Sequence, residues 1–161
     1  MSKSSLRLVV LGAAAGLVAA WAMEESQKAI GQAAKARGIE PPSGDPATVK
    51  AADRLSLEFS GQPIAPHKRE QAGRIVHYAT GAALGALYTY LAERAPFITW
   101  GFGGLFGLAV TGLLDEGAVP ALGFSPPAAD VPLERHGEGL AAHLVFGSTL
   151  EASRQVVRVL A

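Results

Sequence analysis

Long uncharged apolar runs alternate along the chain with short polar, proline-rich intervals. Leu8 to Met23 (LVVLGAAAGLVAAWAM) carries no charge, with Arg7 before it and Glu24 and Glu25 after it. With Leu6 and a helical continuation, this run is about long enough to cross a hydrocarbon core of roughly 30 Å. The helix-forming EESQKAIGQAAKAR beyond it predicts one long helix that leaves the membrane. A rival reading takes Lys3 and Arg7 as the basic start of a signal peptide and Ala20-Trp21-Ala22 as its cleavage site. Trp21 and the unbroken helical continuation favour the span.

A second uncharged stretch runs from Ile75 to Ala92, behind a polar lead-in (HKREQAGR) that starts at His67. Tyr78, Tyr88 and Tyr90 near its ends suit the aromatic belts of a membrane interface. Pro96 forces a very short turn, which predicts a third helix packed as the antiparallel neighbour of the second. This third helix is expected from Phe97 through GFGGLFGLAVTGLL, its apolar part ending at Asp115 and Glu116. The last helix, from about His136 to Leu160, has a shorter uncharged core, GLAAHLVFGSTL, before Glu151, Arg154 and Arg158. It spans only if its ends snorkel or its neighbours cover its polar face.

The predicted fold is therefore all-α: a polytopic membrane protein of about four antiparallel transmembrane helices in one bundle domain. The spans are placed near 6–23, 75–94, 97–116 and 137–157. Residues 38–66 form a loop punctuated by Gly38, Pro41, Pro42, Gly44, Pro46, Gly61, Pro63 and Pro66. Within it Asp45 and Pro46 can start a helix in which Val49, Ala52, Leu55 and Phe59 recur at helical spacing. A short amphipathic helix on the membrane surface or over the bundle mouth is one reading, and an ordinary surface helix the other. Residues 117–135, with Pro120, Pro126, Pro127 and Pro132, form a second loop.

Composition agrees with the pattern. Charged residues make up 17% and hydrophobic residues 49% of the chain, against about 25% charged in soluble domains. Mean hydropathy is +0.24. A net charge of zero offers no basic face for nucleic acid. The absence of cysteine removes disulfides, thiolate zinc sites, iron–sulfur clusters and cysteine nucleophiles. Glycine is abundant, 19 of 161 residues, and falls mainly inside the apolar runs. Gly12 and Gly16, Gly81 and Gly85, and Gly103 and Gly107 are each spaced by four, so each pair opens a groove on one helix face. These grooves predict tight helix packing, and also a surface for a second copy or a partner in a membrane complex.

Topology sorts the ionisable residues. If the spans alternate in direction, one membrane side receives Glu24, Glu25, His77, Asp115, Glu116, His136, Glu138 and His143. His136 and His143 are seven apart, which places them within about 20° around a helix and roughly 10 Å apart along it. Ionisable groups inside a bilayer are costly and are functional candidates by default. Such a cluster can relay protons, hold an ion or a polar ligand, or simply pair helix to helix. No HExxH or ExxH spacing is present to sharpen a metal reading, and no cofactor is expected. Lys3, Arg7, Glu93, Arg94, Glu151, Arg154 and Arg158 fall on the other side and read as ordinary interfacial charges.

Several short motifs together resemble a known family. Pro41 and Pro42 follow the first helix and its extension, and His77-Tyr78 opens the second span ahead of Gly81-x-x-x-Gly85. A glycine-rich third helix leads to Pro120-Ala-Leu-Gly-Phe-Ser-Pro-Pro127, then to Glu138-Gly-Leu-Ala-Ala-His143 and a Glu151–Arg154 end. Over roughly residues 8–158 the chain resembles the YagU-like family of bacterial inner-membrane proteins, whose function is unknown. The resemblance implies a multi-pass protein of the cell inner membrane, with the lipid bilayer as its surroundings, and supplies no catalytic residues. The expected role is passage or sensing of protons or a small ion or solute; the alternative is a non-catalytic structural or assembly subunit.

Overall fold

The computed structural model describes residues 3–40 and 44–160; Pro41 and Pro42 lie outside them. The described residues form helices joined by short turns, without a strand. Helix α1 (Lys3–Ala36) is a single helix of 34 residues, about 51 Å long, so the apolar run and its charged extension are continuous. Helix α2 (Ala47–Ser60) follows and stops at Gly61, whose φ of 70° gives the left-handed cap that glycine tolerates best. A 3₁₀ turn (Pro66–Lys68) leads into α3 (Arg69–Ala92).

The third apolar segment starts later than expected. Pro96–Thr99 is a 3₁₀ turn, and Gly101, Phe102 and Gly103 all have positive φ, so regular helix begins only with α4 (Gly104–Val110). Glycine on both sides lets the chain take these left-handed conformations. Beyond Val110 the helix widens into a π-helical segment (Thr111–Ala118) and closes with one turn (Val119–Ala121). Pro120 has no N–H to return to the turn before it, and widening is a recognised way to absorb such a defect. The helix therefore runs past Asp115 and Glu116 instead of ending there. Helix α5 (Leu133–Leu160) completes the chain.

Glycine faces, more than chain order, decide which helices meet. Gly12 and Gly16 of α1 lie against Gly81 and Gly85 of α3, so closely that a Cβ on Gly16 would fall on the Gly81 carbonyl. Gly103 and Gly107 press on the backbone of α5 at Gly147 and His143 in the same way. Helix α1 thus sits between α3 and α5, while α4 packs on α5. The short Pro96 connection does not make α3 and α4 a closely packed pair. They meet through Tyr88 and Phe106, whose rings stand 4.9 Å apart. The core joins Ala15, Ala19, Ala20 and Met23 to Tyr88, Phe106, Val110, Ala142, Phe146 and Leu150.

Helix α2 packs along the polar start of α3. Val49 and Ala52 are buried and Gly73 receives the Val49 side chain, while Arg69 pairs with Asp45 and Asp53. Only the first half of the expected apolar stripe is covered. Phe59 stays 87% exposed.

Candidate functional site

The eight ionisable residues singled out from sequence separate into two groups. Between α1 and α3, the Tyr78 hydroxyl donates to Glu24 at 2.8 Å, and Lys28 lies 2.9 Å from Glu24 and 2.8 Å from Glu25. Arg74 approaches Glu24 at 3.7 Å. His77 donates from Nε2 to the Ala20 carbonyl of α1 at 3.0 Å, so it bonds backbone and no carboxylate.

The second group joins the π-helical segment of α4 to α5. His143 Nδ1 lies 3.0 Å from the Gly139 carbonyl and 3.4 Å from Asp115 Oδ2. One heptad earlier, His136 Nδ1 meets Glu116 Oε1 at 2.6 Å. Its Nε2 faces the carbonyls of Ala128 and Val131 at 3.1 and 3.2 Å. The Glu116 carboxylate raises the His136 pKa above its ordinary value, because the hydrogen bond favours the charged ring. Glu138 is taken by Arg135 at 2.7 Å, and Arg135 also reaches the Glu40 carbonyl. A shallow groove of about 470 Å³ opens beside His136, lined by Leu108, Thr111, Leu133 and Leu140 among others.

Among the described residues, no hydrogen bond or ion pair links the α1–α3 group to the α4–α5 group. No set of three or more His, Asp or Glu is placed to share a metal ion, and every buried side-chain nitrogen or oxygen among those residues has a partner. The arrangement is one of fastened pairs.

The most buried charges are two that sequence reasoning set aside. Glu151 and Arg154 are only 3% and 8% exposed. Glu151 Oε2 accepts from the Tyr88 hydroxyl at 2.6 Å and from Arg154 Nε at 2.8 Å. Its Oε1 accepts from Arg154 Nη2 and Gln155 Nε2, both at 2.8 Å. Tyr88 is itself fully buried, so the knot ties α3 to α5 at the end opposite the histidines. A usable signal existed: Glu151 and Arg154 are three apart, facing each other, inside a helix expected to lie in the bilayer.

Residues 50–152 match the model of a family described as Protein of unknown function, DUF1440. The chain belongs to that family. No curated protein and no solved structure matches it. The DUF1440 stretch takes in α3, α4 and most of α5, with both histidine–carboxylate pairs, and leaves α1 outside.

Proposed function

We propose that this DUF1440 protein is a four-span integral protein of the bacterial inner membrane, with a non-catalytic structural or assembly role. The observation that carries the location is the number of large apolar side chains left exposed around the bundle. Small residues and paired polar groups share the interior with Tyr88, Phe106, Phe146 and Leu150, while Val10, Leu17, Val18, Trp21, Leu87, Trp100, Leu108 and Leu113 face outward. Large apolar side chains exposed on α1, α3 and α4 suit a surface that faces lipid. Helix α1 is long and apolar enough to cross a membrane, yet only 33% of its most apolar window is buried, unlike the core helix of a soluble domain. The likeness to YagU-like proteins supports the inner membrane.

The burial of Glu151 and Arg154 supports the fourth span. With these charges turned inward, the outward face of α5 is free of charge from Gly139 to Val157, about 28 Å of helix. The uncharged part of α3, Ile75–Ala92, gives about 27 Å. Both suit a hydrocarbon core of roughly 30 Å. The non-catalytic role draws support from the complete pairing of the buried polar groups. Passage of ions draws little, since Ala19, Ala142, Phe146 and Leu150 fill the interior between the two ends. Sensing of protons keeps one specific support, the titratable pairs of His136 and His143 with carboxylates.

Cysteine labelling tests the location, and the cysteine-free chain makes it direct. Gln62→Cys and Ser125→Cys are expected to react from one side of the membrane and Ala95→Cys from the other. Labelling of all three from the same side would leave only α1 as a span. In liposomes, the purified chain is expected to add no proton flux over empty vesicles. A flux that His143→Ala abolishes without unfolding the protein would overturn the non-catalytic reading.

A further inference from the structure

We propose that His136 is a proton-operated latch: as an imidazolium it fastens the end of α4 and the Ala128–Asp130 turn to the start of α5, and deprotonation frees the turn from α5. The hydrogen-bond roles demand this charge state. Glu116 Oε1 stands at Nδ1, and the carbonyls of Ala128 and Val131 stand at Nε2. A neutral imidazole carries one N–H, whereas a carboxylate and two carbonyls ask both ring nitrogens to donate. Moving the proton to the Glu116 oxygen changes which atom holds it, but not the number of protons the pair must hold. The one N–H that remains stays with the Glu116 carboxylate, the stronger and shorter bond, so the Nε2 lone pair then faces the carbonyls of Ala128 and Val131 and the turn loses its hold.

The surroundings favour the charged ring. Asp115 and Glu116 approach from α4, Asp130 sits in the fastened turn, and Glu134, Arg135, Glu138 and His143 accompany it on α5. Arg135, the nearby cation, is already engaged by Glu138 and by the Glu40 carbonyl, and His143 faces Asp115. The side chain is 27% exposed, which lets protons exchange with solvent. Among the described residues, the side-chain hydrogen bonds that hold residues 122–132 to another element all come from His136.

The direction of the pH effect follows. A histidine whose folded pKa stands above its unfolded value, about 6.5, stabilises the folded arrangement fully below that value. The contribution is lost as pH rises through the folded pKa. The latch is therefore closed in acid and opens as pH rises through the folded pKa of His136. It does not depend on what the bundle assembles with.

The test uses the full chain in lipid nanodiscs. Side-chain ¹⁵N spectra, with the His136 signal assigned from H136Q, are expected to show both ring nitrogens protonated at pH 6. Hydrogen exchange of residues 122–132, corrected for its intrinsic pH dependence, is expected to accelerate at least tenfold as His136 loses its proton. H136Q is expected to exchange rapidly at every pH. E116Q, which is close in shape to the native side chain and removes the anion, should move the transition to lower pH. A neutral His136 at pH 6, a midpoint shared by wild type and E116Q, or a transition that melts the whole bundle would each overturn the latch.

Discussion

Glu151 accepts four hydrogen bonds, and its two oxygens have no capacity wasted on solvent. The interest of this knot lies in what happens when one member goes. Arg154→Ala leaves a buried carboxylate without its counter-charge and is expected to lower stability by about 3–5 kcal/mol. Tyr88→Phe removes one bond to a charged acceptor and is expected to cost about 1.5–3 kcal/mol. Replacing Glu151 and Arg154 together by methionine should cost less than Arg154→Ala alone, since no orphan charge remains. Denaturation midpoints of the purified variants in one detergent separate these outcomes; equal losses for Arg154→Ala and the double variant would mean that packing dominates. The spacing of this pair was legible in the sequence, but its burial was not. Burial depends on Tyr88, 63 residues earlier, and on where α3 and α4 come to rest. The same limit applied to the histidines. Sequence brought His77, Asp115, Glu116 and His143 to one end, but side-chain reach paired His143 with Asp115 and gave His77 a carbonyl.

At the scale of elements, glycines inside the helices divide into two kinds. Gly85 and Gly147 lie where a Cβ would strike the backbone of the facing helix, at Gly12 and Gly103 respectively. Alanine at either is expected to push helices apart and cost about 1–3 kcal/mol. Gly31, in the extension of α1, has nothing within 4 Å of a built Cβ. Alanine there should stabilise by about 0.5–1 kcal/mol, because glycine gives up more backbone freedom in a helix. Opposite signs from one chemical change, read as thermal midpoints, would establish the crossings; a loss at Gly31 would show that α1 makes a further contact there. The paired spacing of Gly12, Gly16, Gly81, Gly85, Gly103 and Gly107 was readable because four residues bring two positions onto one helix face. Which faces would meet was not readable. The short Pro96 link suggested α3 against α4, whereas α4 found its complement in Gly147, a lone glycine that no spacing rule marks. The late start of α4 escaped for a related reason, since Gly103 and Gly104 suit a helix groove and a left-handed turn equally well.

For the whole molecule, exposure and hydropathy point in opposite directions according to the solvent assumed, and this gives a decisive substitution. Val18 on α1 and Leu87 on α3 are 50% and 46% exposed, and both lie well inside uncharged stretches. In water, an arginine at either place would change stability by no more than about 0.5 kcal/mol, as surface substitutions do. In a bilayer the same change puts a guanidinium near the hydrocarbon centre and costs about 2.5–3.5 kcal/mol on the scale set by membrane insertion. Val18→Arg tests α1, which passes the length and hydropathy criteria by itself. Leu87→Arg is the sharper probe, because α3 enters the bilayer only in the four-span arrangement. We expect Leu87→Arg to reduce the folded, membrane-integrated fraction severalfold, measured by resistance to alkaline extraction. Full retention of Leu87→Arg beside a loss in Val18→Arg would mean that α1 alone anchors the chain and that the other helices pack outside the membrane.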